Sequence, residues 1–104
     1  SWYYLFASKG AGCKGASSTY YIVVGRSTSI TGPYVDKAGV AMLSGGGTVL
    51  ASSGSRFKGP GGQSLLADGS VMAWHAYDAS NNGAPVLFIN NVTWGADGWP
   101  QAVW

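Results

Sequence analysis

The chain has 104 residues, of which 46% are hydrophobic, 13% aromatic and 10% charged, and its formal net charge is +2. So many aromatic and so few charged residues exclude a disordered chain, and the length suits one small domain. The charges are scattered and no apolar run approaches the ~18 residues of a membrane-spanning helix, so we expect neither a nucleic acid nor a membrane as partner.

Every element predicted along the chain is a strand. Helix signals are weak because Glu is absent and Gly contributes 17 residues, whereas short runs of β-branched and aromatic residues favour strands. Clusters of Gly, Ser and Asn separate these runs, as turns do. In chain order, the predicted strands are Trp2–Ala7, Thr19–Gly25, Val40–Leu43, Thr48–Ala51, Ser64–Ala67, Val71–Tyr77 and Pro85–Thr93. The sequence therefore predicts an all-β chain of antiparallel hairpins.

A faint internal repeat organises these strands. Tyr4–Ser8 and Tyr20–Val24 correspond to Ala73–Tyr77 and Val86–Asn90, at an offset of roughly 65 to 70 residues. The second copy also has an upstream strand, Gly59–Ala67, for which the first copy has no room. Four-stranded sheets in series are typical of a β-propeller. We predict a partial β-propeller of about two four-stranded antiparallel blades, the first (1–51) lacking its inner strand and the second spanning 52–104.

Two blades cannot close a propeller ring. The faces that neighbouring blades would cover, and the hydrogen-bonding edge beside the missing strand, are then left open. An internal disulfide cannot compensate, because Cys13 is the only cysteine. Closed assemblies of identical chains are the usual solution for such surfaces. We therefore expect the chain to complete its propeller by forming a homo-oligomer.

Motifs distributed along nearly the whole chain point to a family. They are Ser18–Asp36, Gly59–Ser64, His75–Ala79, Asn82–Pro85 and Asp97–Pro100. In this order and spacing they resemble glycoside hydrolase family 43, the arabinanases and α-L-arabinofuranosidases. The resemblance implies a five-bladed propeller, inverting hydrolysis of arabinan- or arabinoxylan-type plant cell-wall polysaccharides, and secretion. On this reading the chain is a C-terminal two-blade segment of such an enzyme.

The catalytic groups of the family find no match in this chain. The resemblance implies three carboxylates on inner strands of different blades, and inverting hydrolysis needs two carboxyl groups ~6.5 to 9.5 Å apart. The acidic residues here are all aspartates, and three of them lie in Gly-containing turn sequences: Asp36, Asp68 and Asp97. Asp78 remains as a weak catalytic candidate, which could act only where an oligomer brings copies together. We expect the monomer to be inactive.

Four residues are candidates for contact with a sugar. The amide of Gln63 can both donate and accept hydrogen bonds, and Ser18 and Arg26 flank the strand that matches the family best. Arg26 could instead bond carbonyl groups or an aspartate across blades. His75 could be a core histidine with one ring nitrogen bonded to a carbonyl, or it could face a ligand.

The resemblance also implies an axial histidine near a calcium ion, which would make His75 a metal candidate. Calcium prefers six to eight oxygen ligands, so one imidazole would be a minor ligand. Three functions stay open for the chain. It could be the inactive segment of an arabinan hydrolase, a lectin-like carbohydrate-binding module using Gln63 and His75, or a residual glycosidase formed in an oligomer through Asp78.

Overall fold

The computed structural model describes all 104 residues and folds them into two antiparallel sheets. The first has the order β1-β2-β3, with β1 at Tyr3–Lys9, β2 at Tyr21–Ser27 and β3 at Thr48–Ala51. The second has the order β4-β5-β6-β7, with β4 at Phe57–Leu65, β5 at Val71–Asp78, β6 at Ala84–Trp94 and β7 at Pro100–Ala102. Single 3₁₀ turns occupy Gly15–Ser17, Met42–Ser44 and Ala79–Asn81. None of these helical turns has the length and apolar character needed to cross a membrane.

This arrangement confirms the predicted partial propeller. In the repeat, β1, β2 and β3 take the places of β5, β6 and β7, and the first sheet has no counterpart of β4. The seven residues of β1 therefore form a sheet edge. Outside the β1–β2 ladder, the backbone of β1 makes no hydrogen bond to other backbone groups. The connection between the two sheets lies between Ala51 and Phe57.

Two predicted strands are wrong in place or extent. Within Val40–Leu43 only Ala41 forms a bridge, to Val35, and the chain then enters the 3₁₀ turn, which ends at Gly45 with a φ of +88°. The strand predicted at Ser64–Ala67 instead begins at Phe57, because left-handed glycines are absorbed as bulges, and ends at Leu65. The turn around Asp68 and Gly69 starts earlier than the sequence suggests, at Leu66.

The core lies between the sheets. Alternating residues of each strand point to the same face, and the inward residues of the two sheets meet in one buried cluster of Ile22, Ala51, Met72, Trp74 and Val92. Full burial of a side chain such as Ile22 or Met72 contributes about 1.5–3 kcal/mol. This packing fixes the sheets against each other and positions β1 beside β4.

The outer face of the second sheet is open along β6, and that of the first sheet is open along β1. On β6, Leu87 and Ile89 are 67% and 61% exposed, while Phe88 between them packs against the core. On β1, Tyr3 and Leu5 are also exposed. A groove of about 550 Å³ runs beside β1, lined by Trp2, Tyr3, Tyr4, Phe6, Leu65, Leu66, Ala67, Asp68, Gly69 and Trp94. The outer face of the first sheet is covered at β2, where Val23 is 1% exposed and Met42 packs on Gly25, and it is open along β1.

Candidate functional site

The edge strand β4 is irregular where its glycines lie. Its pairing with β5 shifts between Lys58 and Gly61 and again between Gly61 and Ser64. Gly62 has a φ of +64°, a conformation that glycine adopts without steric cost. Such bulges bend a strand and redirect the side chain that follows. The second bulge therefore determines where the side chain of Gln63 points.

Gln63 is connected to the first sheet through Ser8 of β1. The Ser8 hydroxyl donates to Gln63 Oε1 at 2.6 Å and accepts a hydrogen bond from the Gly62 backbone N–H at 3.1 Å. The amide nitrogen of Gln63, Nε2, has no partner within the chain and is not buried. The bulge and Ser8 thus leave a side-chain donor facing solvent beside β4.

His75 lies on β5 against the same bulge. A Cβ atom built on Gly62 would come within 2.8 Å of His75 Cε1 and Nδ1, so the imidazole rests on the glycine backbone. The ring also neighbours Tyr20 and Tyr77, with centroid distances of 6.2 and 5.6 Å. His75 makes no hydrogen bond within the chain, and neither ring nitrogen is buried. The carbonyl-bonded core histidine considered from the sequence is therefore not what the structure shows.

The surroundings of His75 fit a calcium ion poorly. No group of three or more His, Cys, Asp or Glu side chains lies close enough together to hold a metal. Its neighbours are the two tyrosine rings and the Gly62 backbone, with no carboxylate among them. Because calcium requires several oxygen ligands, a calcium ion beside His75 would need most of its ligands from outside this chain.

The other two predicted sugar contacts, Ser18 and Arg26, make different contacts from those of Gln63 and His75. Ser18 is buried, accepts a hydrogen bond from the Lys14 backbone N–H at 2.8 Å and packs against Gly59. Arg26 lies between the rings of Trp2 and Trp99, with Cζ 3.9 and 4.5 Å from their centroids. In these positions both side chains serve packing contacts within the fold.

Asp78 is engaged in a two-point ion pair. Arg56 Nε and Nη2 donate to Asp78 Oδ1 and Oδ2 at 3.0 and 2.9 Å, and the Ser80 backbone N–H donates to Oδ1 at 2.9 Å. The hydrogen bonds from the Arg56 side chain hold the pKa of Asp78 below its ordinary value. Asp78 is therefore held as a carboxylate and does not have the raised pKa of a general acid.

The remaining aspartates are also held ionised. The pKa of Asp36 is lowered chiefly by the backbone N–H of Gly47, that of Asp68 by the Ser70 side chain and that of Asp97 by Lys37. A general acid in glycoside hydrolysis must stay protonated near neutral pH. No carboxyl group of this chain meets that condition.

Sequence reasoning missed Ser8 and Tyr20. Ser8 directly follows the apolar run Tyr4–Ala7, and the repeat aligns it with Tyr77. A polar residue at the end of an otherwise apolar strand was the signal that could have identified it. Tyr20 covers Gly61 and stands beside His75, a contact between distant segments that no local pattern reveals.

Comparison with known proteins agrees with this fold. The extracellular endo-α-(1→5)-L-arabinanase 1 of Bacillus subtilis is 52% identical over 100 residues, which cover 96% of this chain and 30% of that protein. The structure of the GH43 endo-arabinanase from Bacillus licheniformis superposes with a TM-score of 0.93 at 53% identity, covering 97% of this chain and 34% of that one. The Cellvibrio cellulosa α-L-arabinanase complexed with arabinohexaose gives 0.89 at 46% identity, covering 96% and 32%.

The chain thus spans about a third of the length of these similar proteins. The sequence model of the Glycosyl hydrolases family 43 matches residues 1–100, which confirms the resemblance seen in the motifs. The chain belongs to glycosyl hydrolases family 43.

Proposed function

We propose that this chain forms part of the polysaccharide-contacting surface of an arabinan-acting glycosidase, and that alone it binds arabinan without hydrolysing it. The observation that carries the proposal is the pair of solvent-accessible polar groups beside Gly62, on Gln63 and His75, that have no hydrogen-bond partner within the chain. Sugar hydroxyls both donate and accept hydrogen bonds, so an amide donor next to an imidazole matches their chemistry.

The relatives support arabinan as the ligand. The Cellvibrio protein, 46% identical, was crystallised as a complex with arabinohexaose, and the Bacillus subtilis relative is named an extracellular arabinanase. We extend the proposal to secretion of the protein that contains this chain. Arabinoxylan is the alternative polysaccharide, and competition between the two ligands would separate them.

Binding is tested by titrating the ¹⁵N-labelled chain with arabinohexaose and following the amide signals. We expect shifts centred on Gly62, Gln63 and His75, and loss of most of the affinity in Gln63→Met, which keeps the side-chain length but removes the amide. Asn91→Leu, a similar change on exposed β6, is the matched control and should bind as the wild type does. An absence of shifts at millimolar ligand would refute the proposal.

Hydrolysis is tested separately by assaying release of reducing sugar from arabinan. We expect none from the monomer, because every carboxyl group has a lowered pKa. A residual glycosidase acting through Asp78 in an oligomer is the second candidate, and Asp78→Asn would abolish its activity. Activity that appears only in oligomeric fractions and disappears in this variant would favour that candidate over a binding role.

The proposal includes self-association as blades of a ring, with 1–51 and 52–104 each acting as one blade. Its support is the exposure of Leu87 and Ile89 on one outer face and of Tyr3 and Leu5 on the other. Contact between the unlike faces of two copies is head-to-tail and can close into a ring. In such a ring, the neighbouring copy would also cover the open hydrogen-bonding edge of β1.

Light scattering after size-exclusion chromatography tests this part of the proposal. We expect the wild type to elute as a small closed oligomer, and Leu87→Lys combined with Ile89→Lys to elute as a monomer. Ser52→Lys combined with Ser55→Lys, in the exposed connection between β3 and β4, adds the same two charges outside β1 and β6 and should leave the oligomer intact. A well-folded wild-type monomer at all concentrations would exclude self-association.

A further inference from the structure

The Ser8 hydroxyl group both accepts and donates a hydrogen bond. The oxygen accepts from the Gly62 N–H at 3.1 Å, and the proton goes to Gln63 Oε1 at 2.6 Å. No other acceptor in the chain takes the Ser8 proton. The backbone of the β4 bulge and the side chain that follows it are therefore held by one residue of the opposite sheet.

This contact decides which end of the Gln63 amide faces solvent. The two ends of an amide have nearly the same shape but opposite hydrogen-bonding character. Turning the amide over would point its NH₂ group at the Ser8 oxygen and leave the Ser8 proton without an acceptor within the chain. The observed arrangement places Oε1 on Ser8 and leaves Nε2 unpaired and accessible.

The exposed donor restricts what can bind. Two N–H bonds on Nε2 require an acceptor, and a neutral sugar offers hydroxyl, ring and glycosidic oxygens. His75, on the other side of Gly62, has one donor and one acceptor when neutral, so it can take up the proton of a sugar hydroxyl. A free amide without Ser8 could turn and present its oxygen instead, which would lose this pairing.

We propose that Ser8 is a positioning residue that locks the Gln63 amide with Nε2 outward, so that the site selects an acceptor oxygen of a neutral pentose. The inference rests on the proposed binding of arabinan and adds the orientation of the Gln63 amide that would contact the sugar. Ser8 does not touch the ligand and acts only through Gln63 and Gly62.

The orientation is tested first without any ligand. In nuclear Overhauser spectra of the free wild type, the Nε2 protons of Gln63 should show no cross-peak to the β-protons of Ser8. In Ser8→Ala the amide is released, and a cross-peak from Nε2 protons to the new methyl group should appear. Ser8→Thr keeps the hydroxyl and should retain the wild-type pattern. An unchanged pattern in Ser8→Ala would overturn the proposal.

Arabinohexaose titration is the second arm. We expect Ser8→Ala to weaken binding by about 3- to 10-fold, the effect of one lost hydrogen bond, and Ser8→Thr to stay within about 2-fold of wild type. Gln63→Glu can still accept from Ser8 but lacks the outward donor, so it should bind as weakly as Gln63→Met. Ser52→Ala is the control, because Ser52 is exposed in the connection between β3 and β4, and this variant should bind normally.

The two proposals fail in different ways. If the wild type binds no arabinohexaose, the proposed function fails, and the spectra of the free chain still decide whether Ser8 orients the amide. If the wild type binds and Gln63→Glu binds equally well, the outward donor is not used and the role of Ser8 is refuted. Weakened binding in Ser8→Ala with recovery in Ser8→Thr supports it.

Discussion

Two polar clusters bridge the sheets, and they differ in how far the rest of the chain encloses their side chains. Around Arg26, the guanidinium lies between Trp2 and Trp99 and donates to the Asp97 carbonyl at 3.3 Å, while Lys37 pairs with the Asp97 carboxylate at 2.8 Å. These contacts join β2 to the segment before β7. The Arg26 guanidinium is thus enclosed by protein groups, with an aromatic ring against it on each side and one N–H hydrogen-bonded within the chain.

Around Gly62, by contrast, the set of partners is open. Gln63 has one amide oxygen bonded and its nitrogen free, and His75 has no hydrogen bond at all. Buried polar groups are normally paired within the protein, whereas accessible ones are free to bond water or a ligand. The comparison supports a contribution of the Arg26 cluster to stability and our proposal that the Gly62 cluster binds sugar, although the sequence makes both Arg26 and Gln63 candidates for sugar contact.

The largest effect that separates the clusters is expected for Trp99→Ala. Trp99 is buried between Arg26 and Tyr4, so its removal should lower the free energy of unfolding by about 3–4 kcal/mol. Urea titration measures this loss, and Trp99→Phe should recover part of it. Arabinohexaose affinity, measured where the variant is still folded, should stay within about 2-fold of wild type because the sites are separate. A variant that loses affinity while remaining folded would break the division between the clusters.

Gly62→Ala should affect stability and binding together. The φ of +64° is unfavourable for alanine, and the new methyl group would lie 2.8 Å from the His75 ring. We expect a loss of about 1–3 kcal/mol in the free energy of unfolding and weaker arabinohexaose binding, because the bulge orients Gln63.

Gly39→Ala is the matched control for that prediction. Gly39 has a φ of +84° but nothing within 4 Å of the added Cβ, so it carries the backbone strain without the contact. It should lose stability to a smaller extent and bind normally. Equal affinity in the two variants would show that the Gly62 bulge does not shape the site.

The sheets could be predicted from the sequence because their signal is local and repeated. The matched runs Tyr20–Val24 and Val86–Asn90 both lie in strands, β2 and β6, that pair with the strand before them, and the missing inner strand on the other side of β1 followed from the repeat. The glycines of β4 obscured its true start at Phe57, because a bulged strand and a turn contain the same residue types.

The candidate site could be predicted only in part. Gln63 and His75 carry suitable chemistry in the sequence, but their freedom from internal partners depends on contacts between segments far apart in the chain. Ser8 lies 55 residues from Gln63. Arg26 also carries suitable chemistry, but its guanidinium is already enclosed by Trp2 and Trp99, which come from opposite ends of the chain. Sequence identifies groups able to bind, and the tertiary structure decides which ones are already occupied.

The smallest effect is expected at the ion pair of Asp78, whose two carboxylate oxygens are both hydrogen-bonded within the chain. Its pKa is lowered mainly by the Arg56 side chain, so the ion pair contributes stability above the ordinary Asp pKa of 3.8 and loses it as the pH falls through the lowered value. Arg56→Gln should therefore reduce the Tm at pH 7, and its difference from wild type should shrink as the pH falls through the lowered pKa of Asp78. Lys37→Gln removes the partner of Asp97 in an ion pair whose side chains are 54% and 49% exposed, and it should change the Tm less because water screens that pair. Thermal melts from pH 2 to 7 measure both. A constant difference between Arg56→Gln and wild type across this range would mean that Arg56 stabilises the fold by packing rather than by holding Asp78 ionised, and Asp78 would regain the freedom that a catalytic role requires.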